Sequence, residues 1–82
     1  MHLISIRNLR DDAIQYPDVK SEIDTLNKKI KNAKWQNLED VRKEFRDAEA
    51  VGNFTIFNIK GNKYRLILGI NYEDQTIFYK YF

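Results

Sequence analysis

The spacing of the apolar residues changes at Gly52, and this change constrains the fold more than any other feature of the chain. Before Gly52, apolar residues recur every three or four positions, which is the period of an amphipathic α-helix. After it, the period is two, in runs rich in β-branched and aromatic residues and bounded by turn residues, as in β-strands. A chain with helices first and strands afterwards is predicted to adopt an α+β fold.

The N-terminal half predicts a helical hairpin. A short amphipathic helix over Ile6, Leu9, Ala13 and Ile14 should stop near Tyr16, because the residue before a proline disfavours the helical conformation. The next helix starts with Pro17 in its first turn. Its apolar stripe consists of Val19, Ile23, Leu26, Ile30 and Ala33.

Shorter elements surround these two helices. Residues 2–4, before the first helix, are predicted to form either a short strand or an extended lead-in. Trp35 follows the second helix and is predicted to be a core or hinge residue, with a base-stacking platform as the second alternative. Asn37 then has the character of an N-cap for a short third helix.

Three antiparallel strands are predicted at residues 54–59, 64–71 and 76–82. Gly61 and Asn62 suit a two-residue hairpin turn between the first two strands, because both residue types tolerate positive φ. The middle strand should direct Leu66 and Leu68 towards the helices. Its opposite face carries Arg65, Ile67, Gly69 and Asn71. Gly69 has no side chain and is expected to leave backbone open to a closely approaching ligand.

Composition limits the class of protein. The chain has 82 residues, of which 43% are hydrophobic and 13% aromatic, and this predicts one compact domain over residues 1–82. It contains no cysteine and one histidine, His2, so neither a disulfide framework nor a metal site is expected. Neither a signal peptide nor an apolar run of membrane-spanning length is recognisable. A cytoplasmic protein without a cofactor and without a membrane partner is therefore expected.

The surplus positive charge lies in the last third of the chain. The net charge is +2, while residues 1–53 hold ten Lys/Arg and ten Asp/Glu. Lys60 and Lys63 flank the hairpin turn, Arg65 lies on the outer strand face, and Lys80 can share that face. The planar guanidinium group of Arg65 matches a phosphate. These cations predict a metal-free groove for RNA, of the kind used by ribonucleases whose nucleophile is the RNA 2′-OH.

Further residues are predicted to contact RNA. Lys28, Lys31 and Lys34 recur every three positions, away from the apolar stripe. They form either an ordinary solvated face or a basic ridge that grips phosphates. Asn62 in the turn and Asn71 on the outer strand face complete the predicted set. Few aromatic side chains are expected to be free to contact bases, so phosphate contacts should dominate the affinity.

Several segments match one family pattern in order and at the right spacing. The hairpin segment reads FNIKGNKYRLI from Phe57 to Ile67, and the chain starts with MHLIS. The Tyr16-Pro17 junction, the segment AKW ending at Trp35, and the segment LEDVR starting at Leu38 complete the match. Together they resemble the HigB toxins, over nearly the whole chain. The resemblance implies a RelE-like β-α-α-β-β-β fold, with an N-terminal helical hairpin packed on a small antiparallel sheet.

HigB toxins are messenger-RNA interferases of bacterial type II toxin–antitoxin systems. The resemblance therefore implies cleavage of mRNA on the ribosome and a partner, a HigA-like antitoxin with a helix-turn-helix domain. Arg65 matches the strand arginine of the family, and Lys80 falls where the family has a basic residue on the last strand. The resemblance thus assigns catalysis to Arg65 and Lys80.

The chain departs from the family pattern after the last strand. The family usually continues into a tail of the form T-H-x-x-Y-D, whose histidine is a candidate general acid or base, whereas this sequence ends at Phe82. Apart from His2, no side chain here has an ordinary pKa near neutrality. A truncated or weakened toxin is therefore expected. The alternative is a non-catalytic module that binds RNA or the antitoxin and cleaves nothing.

Overall fold

The computed structural model describes residues 1–4, 6–61 and 63–82, with the backbone only at Ile6. In chain order the elements are β1 His2–Ile4, α1 Ile6–Ala13, a 3₁₀ turn Pro17–Val19, α2 Lys20–Asn32, α3 Leu38–Glu44, β2 Glu49–Val51, β3 Phe54–Ile59, β4 Tyr64–Asn71 and β5 Thr76–Tyr81. The α+β class predicted from the sequence is confirmed. No helix in the described ranges is long and apolar enough to cross a membrane.

The strands form one five-stranded sheet in the order β1-β5-β4-β3-β2. The predicted meander of β3, β4 and β5 is antiparallel, and β2 extends it on one edge. On the other edge β1 joins β5 in parallel, with His2 opposite Thr76 and Ile4 opposite Phe78. Residues 2–4 are therefore a strand, and the sheet is mixed where a wholly antiparallel one was expected.

The helix boundaries follow from local chemistry. Tyr16, which precedes Pro17, has φ −123° and ψ 72°, outside the helical region, as the proline requires. α1 already ends at Ala13, so Ile14 is 80% exposed and does not extend the apolar face of α1 as expected. The N-cap predicted at Asn37 is confirmed, because its Oδ1 accepts a hydrogen bond from the Asp40 N–H at 3.0 Å.

The helices pack on one face of the sheet, here called the inner face. All five residues of the predicted stripe are buried, from Val19 just before α2 to Ala33 just after it, together with inward residues of three strands, Phe57, Leu66, Leu68 and Ile77. Trp35 is also buried and meets the Phe45 ring edge-on, with ring centroids 5.9 Å apart. The opposite face of the sheet, here called the outer face, is not covered by any helix of the described chain.

Candidate functional site

Arg65 lies on the outer face near one end of β4. Its side chain is exposed, and its strand partner on β3 is Asn58. Pairing of β4 with β5 runs only from Asn71 to Ile67, so Arg65 has a described strand partner on one side alone. The backbone of Arg65 is therefore held by β3, and its side chain extends into solvent.

Lys80 lies on the outer face through the alternation of β5, in which Phe78 points outward and Tyr79 inward, and it is the extra residue of a bulge. Ile67 is opposite Tyr81 and Leu68 is opposite Tyr79, which leaves Lys80 as the extra residue. The Lys80 Nζ lies 5.8 Å from the centroid of the Phe54 ring. Phe54 precedes the buried Thr55 on β3 and points to the outer face. Lys80 and Arg65 thus share one face of the sheet.

The backbone of Gly69 is covered by Phe78. The two residues are opposite each other in the β4–β5 pair, and a Cβ atom added at Gly69 would overlap three atoms of the Phe78 ring. The ring of Phe54 stands nearly perpendicular to that of Phe78, at 77°, with centroids 6.4 Å apart. The expectation of bare backbone at Gly69 is therefore wrong, because a cross-strand aromatic side chain fills the space that the missing side chain leaves.

Exposed aromatic side chains are present on the outer side of β5. Phe78 is 45% exposed and Tyr81 is 65% exposed. Few aromatics are exposed, as expected, but two of them lie on this face, and sequence reasoning missed Phe54, Phe78 and Tyr81 as candidate site residues. The alternation on β5 could have identified Phe78, because Ile77 is apolar and inward, and its neighbour must point outward.

The two lysines of the hairpin are paired within the chain. Lys63 Nζ lies 3.2 Å from Asp18 Oδ2, and Lys60 Nζ lies 3.9 Å from Glu22 Oε1. The backbone N–H of Lys60 also donates to Glu22 Oε2 at 2.9 Å. Lys60 and Lys63 therefore connect the tip of the hairpin to the 3₁₀ turn and the first turn of α2. Their predicted contact with RNA would have to compete with these carboxylates.

The charge of Lys63 changes the titration of its partner. Desolvation raises the pKa of Asp18, but the hydrogen bond and the positive charge of Lys63 outweigh it, so the pKa falls below its ordinary value. The hydrogen bond and the negative charge of Asp18 raise the pKa of Lys63 in turn. Both shifts favour the charged forms, so the pair is ionised at neutral pH.

β3 ends at Ile59 and β4 begins at Tyr64, with Lys60, Gly61 and Lys63 in the turn that joins them. The ladder ends at the pair Ile59 and Tyr64, because Lys60 and Gly61 have φ values of 56° and 66°. The Lys63 N–H donates to the Lys60 carbonyl oxygen at 3.3 Å and closes the turn. Asn62, for which the sequence predicts a turn position and an RNA contact, lies outside the described residues.

The remaining candidates lie away from Arg65 and Lys80. Lys28, Lys31 and Lys34 are exposed on α2 and just after it, in the layer that covers the inner face. The amide of Asn71 is used in the β4–β5 turn, where its Nδ2 donates to Asp74 Oδ2 and its Oδ1 accepts from the Asp74 N–H, each at 3.1 Å. The structure therefore places Arg65 and Lys80 on the same face of the sheet and leaves the other described candidates at the edges or on the other side.

Comparison with known proteins gives the family. Residues 19–82 match the HigB_toxin family model, described as the RelE-like toxic component of a toxin–antitoxin system. The mRNA interferase toxin HigB of Escherichia coli K12 is 29% identical over 84 aligned residues, which cover 95% of this chain and 78% of that protein. The mRNA interferases HigB of Escherichia coli O157:H7 and of Shigella flexneri have the same identity and coverage. The resemblance found in the sequence is thus confirmed, and the chain belongs to the HigB family of RelE-like toxins from toxin–antitoxin systems.

Proposed function

We propose that this chain is the toxin of a type II toxin–antitoxin system and that it cleaves messenger RNA on the ribosome without a metal ion. Membership of the HigB family and relatives named mRNA interferases support this function. The structural observation that carries it is the placement of Arg65 and Lys80 on one uncovered sheet face. Within the described ranges, neither cation has a carboxylate at salt-bridge distance, so both are available to an anionic substrate.

The proposed chemistry is attack of an RNA 2′-OH on the adjacent phosphorus, which forms a 2′,3′-cyclic phosphate and releases the 5′-oxygen. Negative charge grows on the non-bridging oxygens of the phosphorane. The guanidinium group of Arg65 can donate two hydrogen bonds to these oxygens, and Lys80 adds a second positive charge. The 2′-OH proton must pass to a base, and the departing 5′-oxygen must gain a proton. In the family pattern, the histidine of the tail is a candidate for this transfer.

The proposed partner is a HigA-like antitoxin with a helix-turn-helix domain. A toxin–antitoxin family implies an antitoxin, because the free toxin would stop translation in the cell that makes it. Co-expression with the product of the adjacent gene should give one complex that elutes as a single species. Two independently eluting proteins would contradict this pairing.

Cleavage on programmed ribosomes tests the function. A defined mRNA is translated in an Escherichia coli extract with the purified chain, and primer extension maps new 5′ ends. The K12 HigB toxin is the positive control, and the Arg65→Ala/Lys80→Ala variant is the negative one. New 5′ ends that require both the wild-type chain and ribosomes are the expected result. A folded wild-type chain that binds RNA or antitoxin and makes no cuts would instead identify the non-catalytic module.

A further inference from the structure

We propose that Phe78 is a stacking platform for a base of single-stranded RNA, flanked by Phe54 and Lys80. The proposal rests on the proposed function for the identity of its ligand as RNA. It adds a contact to the base ring, where Arg65 and Lys80 alone would contact only phosphates. The platform consists of Phe78, the Gly69 backbone beneath it and the Phe54 ring beside it.

The Phe78 ring is held in place before any ligand arrives. The ring atoms Cζ, Cε1 and Cε2 lie over Gly69, in space that any other residue would fill with its own side chain. The Phe54 ring packs edge-on against it at a centroid distance of 6.4 Å. A side chain fixed in this way loses little conformational entropy when a ligand stacks on it. Although it is held on these two sides, Phe78 keeps 45% of its surface exposed.

The charges next to the ring fit a polyanion. Lys80 Nζ lies 5.8 Å from the centroid of Phe54, so an ammonium group borders the aromatic pair. Arg65 is four residues before Gly69 on the same strand face, about 13 Å along the strand at the usual rise per residue. A groove of aromatic rings and cations is the arrangement that binds single-stranded nucleic acid without base selectivity. The stacked base therefore belongs to a nearby nucleotide, and not to the nucleotide whose phosphate contacts Arg65.

Two other exposed apolar side chains on the outer face make it possible to tell RNA binding from protein binding by mutation. Ile4 and Val51 are 45% and 52% exposed, on the two edge strands of the sheet. A second copy of the chain or an antitoxin segment that covered this face would bury them together with Phe78. A stacked base needs the aromatic ring alone. Val51 is thus the matched control, since it is at least as exposed and carries no π-system.

Binding of a fluorescent single-stranded oligoribonucleotide at fixed salt tests the platform. Loss of one base–aromatic stack should make Phe78→Ala bind about 5- to 150-fold more weakly. Phe78→Trp, which keeps a stacking ring, should bind within about threefold of the wild type, and Val51→Ala should match the wild type. Thermal melts of all four proteins check that the sheet is intact.

An oligonucleotide with abasic sites separates stacking from a general effect on folding. Removal of the bases should weaken binding to the wild type by about as much as Phe78→Ala does, and it should cost the variant nothing further. Equal losses for both proteins would overturn the platform, as would wild-type affinity of Phe78→Ala for the intact oligonucleotide. Weaker self-association or antitoxin capture by both Phe78→Ala and Val51→Ala, with RNA binding unchanged, would overturn it in favour of a protein interface.

The two proposals fail in different ways. Base-dependent binding that needs Phe78, in a chain that makes no cuts on ribosomes, supports the platform and contradicts the interferase function. Ribosome-dependent cutting that Phe78→Ala leaves unchanged, with unchanged RNA affinity, contradicts the platform and leaves the interferase function standing.

Discussion

Lys63 Nζ lies 3.2 Å from Oδ2 of Asp18, so the tip of the β3–β4 hairpin is held against the 3₁₀ turn that precedes α2. The pair of Lys60 with Glu22 repeats this connection one helical turn further on. Two of the three cations around the hairpin therefore have partners within the chain. Arg65, on the opposite side of the strand, is the one that faces solvent from the outer face.

The Asp18–Lys63 pair should make stability depend on pH at both ends of the scale. The pKa of Asp18 is lowered, so its contribution is present above its ordinary value of 3.8 and is lost as pH falls through the folded-state pKa. The pKa of Lys63 is raised, so its contribution is present below 10.5 and is lost as pH rises through the folded-state pKa. We expect the wild type to melt above Asp18→Asn between about pH 5 and 9, with the difference shrinking as pH falls well below 3.8 and as it rises well above 10.5.

Melting temperatures of the two proteins across this range provide the measurement. Asp47→Asn is the control, because Asp47 is exposed and has no ion pair within the described ranges. A constant difference between wild type and Asp18→Asn across the whole range would contradict the ionic origin of the effect.

Arg65→Ala should lower the rate of mRNA cleavage on the ribosome by about 10²–10³-fold, the usual scale for loss of one preorganised donor. Its melting temperature should stay close to that of the wild type, because the side chain is exposed and contributes little to the core. Arg65→Lys should recover only part of the rate, since an ammonium group cannot donate in the two-pronged geometry of a guanidinium. Arg46→Ala removes an exposed arginine from the α3–β2 connection and serves as the control. A folded Arg65→Ala protein that cuts at the wild-type rate would remove Arg65 from the site.

The salt dependence of RNA binding should separate free cations from paired ones. Lys80→Ala should reduce the slope of log affinity against log salt by about one unit, as expected for one lost phosphate contact. Lys63→Ala should change the slope by less, because Lys63 is already neutralised by Asp18. Lys31→Ala, in the helical layer, should leave the slope unchanged if RNA binds the outer face. An equal effect of all three variants would indicate diffuse attraction to the whole surface.

Gly69→Ala should weaken RNA binding through Phe78. The added methyl group would occupy the position of the Phe78 ring and force this half-exposed ring to turn away into solvent. We expect a loss of RNA affinity similar to that of Phe78→Ala, with a change in the free energy of unfolding below about 1 kcal/mol. Binding and melting curves of the two single variants and the double variant check this. Additive losses in the double variant would show that Gly69 and Phe78 act separately.

The helices and the meander were predictable because their signals are local. The stripe from Val19 to Ala33 has helical spacing, Pro17 marks a boundary, and Asn37 has the side chain that an N-cap requires. β1 and β2 have three residues each, too few to show a period, and β1 pairs in parallel with a strand more than seventy residues away. Only the tertiary structure can show such a pairing.

The site was less predictable than the fold, because it depends on which residues meet. Arg65 and Lys80 were identified from charge and position, and strand alternation accounts for their shared face, whereas the sequence gives no signal for the bulge that sets Tyr81 opposite the outward Ile67. Lys60 and Lys63 have the same charge as Arg65. The positions of Glu22 and Asp18 in the folded chain show that these lysines form ion pairs within the protein. The Phe78 ring likewise covers Gly69 because the register of β4 and β5 sets the two residues opposite each other.

The parallel pairing of β1 with β5 has a consequence for folding during synthesis on the ribosome. Leu3 is among the first residues synthesised, and its strand partner Ile77 is made only near the end of the described chain. Chains grow at about 5–20 residues per second, so β1 waits several seconds for its neighbour, and contacts of such long range also form slowly. Nascent chains arrested before Thr76 should therefore be digested by protease, whereas those extended well past Phe78 should resist it. The sheet would then close only after β5 has left the ribosome.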